Sequence, residues 1–97
     1  MIHPLADCQC KVSDSTNIWQ FVVVLPHAKI GENCNICSHC FIENDVVIGN
    51  NVTLKFYVEL CDGLRLEDNV FIGPGVITSN DNFASRTKER FKVQIVP

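Results

Sequence analysis

Ile30-Gly31-Glu32-Asn33-Cys34-Asn35, Ile36-Cys37-Ser38-His39-Cys40-Phe41, Ile42-Glu43-Asn44-Asp45-Val46-Val47 and Ile48-Gly49-Asn50-Asn51-Val52-Thr53 are consecutive blocks of six residues. Each opens on isoleucine and carries a small or medium apolar residue in its fifth place. The same step continues outward, to Val12, Ile18 and Val24 before these blocks and to Leu54, Leu60, Leu66 and Ile72 after them. Ile, Leu and Val make up 27 of the 97 residues. An unbroken run of this length therefore arises by chance on the order of once in a million. The fifth places run Thr16, Val22, Ala28, Cys34, Cys40, Val46, Val52, Val58, Leu64, Val70 and Val76. The second to fourth places are rich in turn formers, as in Gly31-Glu32-Asn33, Glu43-Asn44-Asp45, Cys61-Asp62-Gly63 and Glu67-Asp68-Asn69. Gly, Asn and Asp accept corner and left-handed backbone at low cost.

A strict period of six fits neither an α-helix nor a flat amphipathic strand, whose periods are 3.6 and 2. Short strands joined by regular corners produce it when fixed places on every strand point inward. The pattern predicts an all-β chain, a single-stranded parallel β-helix of about four coils whose inward rows stack from coil to coil. The frame continues to Thr78 and then meets Ala84 and Arg90, and a charge in an inward row is untenable unless paired. The expected organisation is one domain: an irregular N-terminal cap over 1–11, hexapeptide coils over 12–78, and a loop and C-terminal tail over 79–97. Within that tail, residues 91–96 alternate and are expected to rejoin the stack as a strand.

Composition narrows the function classes. Net charge is −3 with both signs interspersed, so the basic stripe that neutralises phosphates is missing and nucleic acid is not an expected partner. The longest apolar run, Phe21 to Leu25, is too short to cross a bilayer. The first ten residues lack the pattern of a signal peptide. A cytoplasmic location follows as the expectation, with the six cysteines as free thiols.

Ile2-His3-Pro4, Ile18-Trp19-Gln20-Phe21, Ile30-Gly31-Glu32-Asn33, Asp62-Gly63, the stretch Leu66 to Pro74 and the Asn80-Asp81 loop resemble the sugar-nucleotide N-acetyltransferases of the hexapeptide-repeat β-helix superfamily. The likeness is strongest to enzymes that acetylate 3-amino sugars carried on dTDP, some of them fused to a sugar ketoisomerase. The resemblance implies a left-handed coil with three hexads per turn, a homotrimer with active sites between neighbouring prisms, acetyl-CoA as co-substrate and a nucleotide-linked amino sugar as acceptor. This chain departs from the pattern at Ser79 to Arg86: the loop lacks the family's proline, and its arginine is displaced by one. It also stops at Pro97, where family members continue with coils that line the CoA groove. The resemblance thus implies a fragment or shortened relative with an incomplete CoA site.

Three hexads per turn would stack Asn44, Asp62 and Asn80 near one edge of the prism. The resemblance places the substrate-handling acid and amide on Asp62 and Asn80, with Asp81, Asn44 and Arg86 as substrate-binding candidates. Acyl transfer to an amine needs a neutral nucleophile, and a carboxylate can orient the ammonium and take its proton. The plain alternative for Asp62-Gly63 is an ordinary corner. His39 is a further candidate base. Its alternative, like that of His27, is a solvated corner residue, and His3 reads as structural.

Cys34, Cys37, His39 and Cys40 have a spacing that zinc or an iron–sulfur cluster uses. The frame sends Cys34 and Cys40 inward as small buried groups and Cys37 elsewhere, so no metal site is expected. Trp19, Phe56, Tyr57 and Phe71 lie in or beside outward places and suit the contact between prisms. Two rivals to an enzyme are a non-catalytic trimeric β-helix module and a metal site shared across an interface; the second needs more histidines than the three present.

Overall fold

The computed structural model describes residues 1–79 and 94–96. Among these the chain forms thirteen short strands: β1 (Asp7–Cys8), β2 (Asn17–Ile18), β3 (Val23–Val24), β4 (Lys29–Ile30), β5 (Asn35–Ile36), β6 (Phe41–Ile42), β7 (Val47–Ile48), β8 (Thr53–Leu54), β9 (Glu59–Leu60), β10 (Arg65–Leu66), β11 (Phe71–Ile72), β12 (Ile77–Ser79) and β13 (Gln94–Val96). Every third strand pairs. The order is β11-β8-β5-β2 on one face, β10-β7-β4 on the second and β1-β3-β6-β9-β12-β13 on the third. The result is a parallel β-helix of about four coils. The register is 18 residues, with Ile18 beside Ile36 and Ile36 beside Leu54. Three hexads therefore make one turn.

The core is the frame made solid. Ile18, Val24, Ile36, Ile42, Ile48, Leu54 and Leu60 are fully or almost fully buried, with Val22, Ala28, Cys34, Cys40, Val46, Val52 and Val58 from the fifth places between them. Each buried Ile, Leu or Val contributes about 1.5–3 kcal/mol of burial. At the ends of the stack Val12, Ile30, Leu64, Leu66, Val70 and Ile72 are only partly covered while still packing against the core. Two threonines sit in the inward rows with their hydroxyls satisfied. Thr16 Oγ1 donates to the Gly31 carbonyl and accepts from Cys34 N–H. Thr78 Oγ1 donates to the Glu59 carbonyl and accepts from Cys61 N–H.

The corners explain the turn formers. The fourth places Phe21, Asn33, His39, Asn51, Tyr57 and Asn69 have φ between 55° and 64°, and Gly63 and Gly75 have φ of 94° and 77°. One corner carries an amide ladder: Asn33 Nδ2 donates to Asn51 Oδ1 (2.7 Å) and Asn51 Nδ2 to Asn69 Oδ1 (3.1 Å). The second place of the same corner is Gly31 and Gly49, where coils approach closely. A Cβ on Gly31 would stand 2.5 Å from the Gly49 carbonyl oxygen.

The N-terminal residues form a first coil with an irregular count. Asp7 pairs with Val23 and Ile2 bridges Ile18 at an offset of 16 rather than 18, which is why the hexad frame slips there. Ser79, read from sequence as the start of a loop, is the last residue of β12. The tail strand β13 lies antiparallel to β12, with Ile95 opposite Thr78.

Candidate functional site

Two corners flank the face made by β3, β6, β9 and β12, and the candidate residues divide between them. The corner after the strands carries His27, Asn44 and Asp62 in succession. Each of the two acceptor side chains caps the coil before it: Asn44 Oδ1 accepts from His27 N–H (3.1 Å) and Asp62 Oδ1 from Asp45 N–H (2.9 Å). Asp62 N–H in turn donates to Glu43 Oε1 at 3.0 Å. Asp62 is thereby fixed through one carboxylate oxygen, while Oδ2 has no hydrogen-bond partner among the described residues. The same corner holds Glu43 and Asp45. Arg65 pairs with Asp45 at 2.8 Å and also donates to the Asp45 carbonyl. Both partners are more than half exposed, so this pair adds little stability. Three carboxylates against one guanidinium leave the corner net negative, suited to an approaching ammonium.

His39 stands at the opposite edge of that face, in the corner preceding the strands, so the structure does not bring it beside Asp62. Its ring lies between two others, tilted against Phe21 at 5.1 Å and stacked on Tyr57 at 4.7 Å with 19° between planes. Phe21, His39 and Tyr57 form a column at the 18-residue step, and Gly75 takes the next place. A groove of about 190 Å³ opens beside this column, lined by His39, Phe41, Tyr57, Val58, Glu59 and Ile77. The sequence reading missed this groove. Its sequence signal is the repeated aromatic fourth place, Phe21, His39 and Tyr57, while Glu59 carries none. A second depression, of about 510 Å³, lies towards the N-terminal end and includes Lys11, His27 and Lys29. Asn80, Asp81 and Arg86 lie outside the described residues.

The cysteine cluster disperses. Cys34 Sγ donates to the Gly49 carbonyl (3.1 Å) and Cys40 Sγ to the Lys55 carbonyl (3.0 Å). Cys37 receives a long contact from Asn35 Nδ2 at 3.8 Å. Among the described residues no group of three or more His, Cys, Asp or Glu is placed to hold a metal ion. Burial pushes the Cys40 thiol up from 9.0 to about 11. Burial, and Cys8 close by, push Cys10 to about 11 as well. These are protonated, unreactive thiols at neutral pH. Cys61, in the second place of its hexad, is buried, its N–H held by Thr78 Oγ1.

Residues 9–44 match the bacterial transferase hexapeptide family (six repeats). That match takes in a little over a third of the chain. The chain is similar to the dTDP-3-amino-3,6-dideoxy-alpha-D-galactopyranose 3-N-acetyltransferase of Aneurinibacillus thermoaerophilus, 57% identical over 37 residues, which is 37% of this chain and 19% of the relative. It is also similar to the acyl-[acyl-carrier-protein]--UDP-N-acetylglucosamine O-acyltransferase of Campylobacter concisus (strain 13826), 40% identical over 53 residues, 55% of this chain and 20% of the relative. The matched hexapeptide stretches span about a fifth of the length of these two relatives.

Proposed function

We propose that this chain is an acetyl-CoA-dependent N-acetyltransferase, or a fragment of one, acting on the amino group of a nucleotide-linked amino sugar. The observation that carries the reading is Asp62, held by one oxygen to the Asp45 amide at a net-negative corner, with its other oxygen uncommitted among the described residues. The hexapeptide match and the acyl-transferring relatives supply the reaction class. In this reading Asp62 Oδ2 accepts a hydrogen bond from the sugar's ammonium and takes its proton, directly or through water. The freed nitrogen attacks the thioester carbon, a C–N bond replaces the C–S bond, and CoA leaves as the thiol. Asn44 and Asn80, with Asp81 and Arg86, hold the sugar nucleotide in the same reading, and His39 is the alternative base. Acetyl-CoA is the co-substrate, with no described residue assigned to its pantetheine or phosphates. A cytoplasmic homotrimer, with sites between prisms, belongs to the proposal. The exposed Trp19, Phe56 and Phe71 support it, since aromatic side chains favour interface cores.

The test is thiol release from acetyl-CoA in the presence of a dTDP-linked 3-amino sugar. Asp62→Asn keeps an oxygen for the Asp45 cap but cannot take a proton. Turnover should fall about 10²–10⁴-fold with the fold intact. Full activity in that variant removes Asp62 from the site. The second reading, a non-catalytic trimeric module, draws on the same exposed aromatic residues. It predicts no calorimetric response to millimolar CoA.

A further inference from the structure

The aromatic column is built like the amide ladder on its neighbouring corner, but it ends differently. Phe21, His39 and Tyr57 occupy successive fourth places with left-handed backbone, φ 62°, 64° and 61°. The fourth member of the column, Gly75, keeps that backbone at φ 77° and brings no side chain. Among the described residues nothing lies within 4 Å of a Cβ built there. Tyr57 is 60% exposed. His39 stacks against one of its faces, and Phe56 meets it in a T-shaped contact at 6.3 Å and 87°. Towards Gly75 the column's own row brings no further side chain. The groove beside it has apolar walls in Phe41, Val58 and Ile77, and Glu59 brings a carboxylate to its lining.

We propose that a nucleobase binds here, stacked on Tyr57 over Gly75 as the next ring of the Phe21–His39–Tyr57 column, with Glu59 accepting a hydrogen bond from an N–H on the base's edge. Stacking on an aromatic side chain tolerates every base, because every base has a π-face. Ring spacings of 4.7–5.1 Å already present in the column are those of offset-stacked and tilted pairs. The groove, of about 190 Å³, is small beside the usual ligand pocket of about 300–1,000 Å³, which suits one heterocycle rather than a whole nucleotide sugar. The ribose and phosphates would lie outside the groove. The site rests on the proposed function for its choice of ligands. The base of the sugar nucleotide and the adenine of CoA share the required chemistry.

The chain has one tyrosine, so the ring resonances of Tyr57 identify themselves. Titrations with dTDP, UDP and CoA, followed by NMR, should show ring-current shifts of Tyr57 and His39 with at least one of them; the one that acts identifies the source. Tyr57→Ala should weaken that binding about 5- to 150-fold, the equivalent of about 1–3 kcal/mol. Gly75→Asn should abolish it while leaving the fold intact, because Asn occupies other fourth places of this chain at φ 55–64°. The inference is overturned if none of the three ligands moves the Tyr57 signals, or if Gly75→Asn binds as well as the parent. It is also overturned if the shifts follow protein concentration instead of ligand, which would make this face a contact between copies. Failure of the two readings is separable. Tyr57 shifts in a protein that transfers no acetyl group retain the base site and remove the activity, and turnover without Tyr57 shifts does the reverse.

Discussion

Substituting Gly31 by Ala asks whether the close approach of the coils is obligatory. Gly→Ala at a strain-free site usually stabilises by about 0.4–1 kcal/mol through the unfolded chain. Here the new methyl would lie 2.5 Å from the Gly49 carbonyl oxygen, 2.7 Å from its carbon and 2.5 Å from Asn50 Oδ1. Restoring even a tight contact requires a shift of about 0.5 Å. Gly31 N–H donates to the Ile48 carbonyl at 2.8 Å. A shift along that bond would stretch it to about 3.3 Å, outside the usual range. Overpacking of this kind costs about 1–3 kcal/mol. Gly73 provides the control. It is the same second place of its hexad on another corner, its φ is not positive, and among the described residues nothing lies within 4 Å of a Cβ there. In urea unfolding followed by circular dichroism, Gly31→Ala should lower the midpoint by roughly 1 M at an ordinary m-value, while Gly73→Ala leaves it unchanged or raises it. Adding Asn50→Ala to Gly31→Ala should not restore stability, because the backbone oxygen remains. Equal midpoints for the two glycine variants, or rescue by Asn50→Ala, would refute the reasoning.

Further outcomes follow from the same coils. Ile36→Ala removes a fully buried side chain and should cost about 2–5 kcal/mol, read as a lowered Tm; a loss below 1 kcal/mol would mean the interior is not close-packed. Asn51 has φ 57° and links Asn33 to Asn69. Asn51→Ala should cost about 1–2 kcal/mol for the left-handed backbone alone, and Asn51→Gly should recover the backbone part but not the ladder; an Ala variant as stable as the parent would contradict this. The folded Cys40 thiol has a raised pKa, from 9.0 to about 11. Its contribution is complete below pH 9 and is lost as pH rises from about 9 to about 11, by up to about 3 kcal/mol. Cys40→Ala should flatten that part of the stability–pH curve, and an unchanged curve would show that Cys40 is not its source.

The inward rows were legible because a period of six needs only that each strand present the same two places to the interior. Ile36, Cys40 and Leu54 satisfy that locally, whatever coil they later meet. Corner residues such as Asn33 and Gly63 were legible for the same local reason. The exposed ends were harder: Thr78 continues the frame in a polar residue that burial tolerates only because it finds the Glu59 carbonyl and Cys61 amide on the preceding coil.

A period of six says which side chains point inward, but any whole number of hexads could close a turn. That number, three, came from family likeness and is fixed in the structure by the 18-residue register of the backbone hydrogen bonds. Only this register decides which distant residues become neighbours. It stacks His39 on Tyr57, ends their column on Gly75, ties Asp62 to the Asp45 amide and sends Cys34 and Cys40 to different carbonyls. The sequence by itself determined inside and outside, since apolar burial acts on each residue separately. The tertiary structure decided the sites, since a contact between coils depends on how many residues the chain spends on each turn.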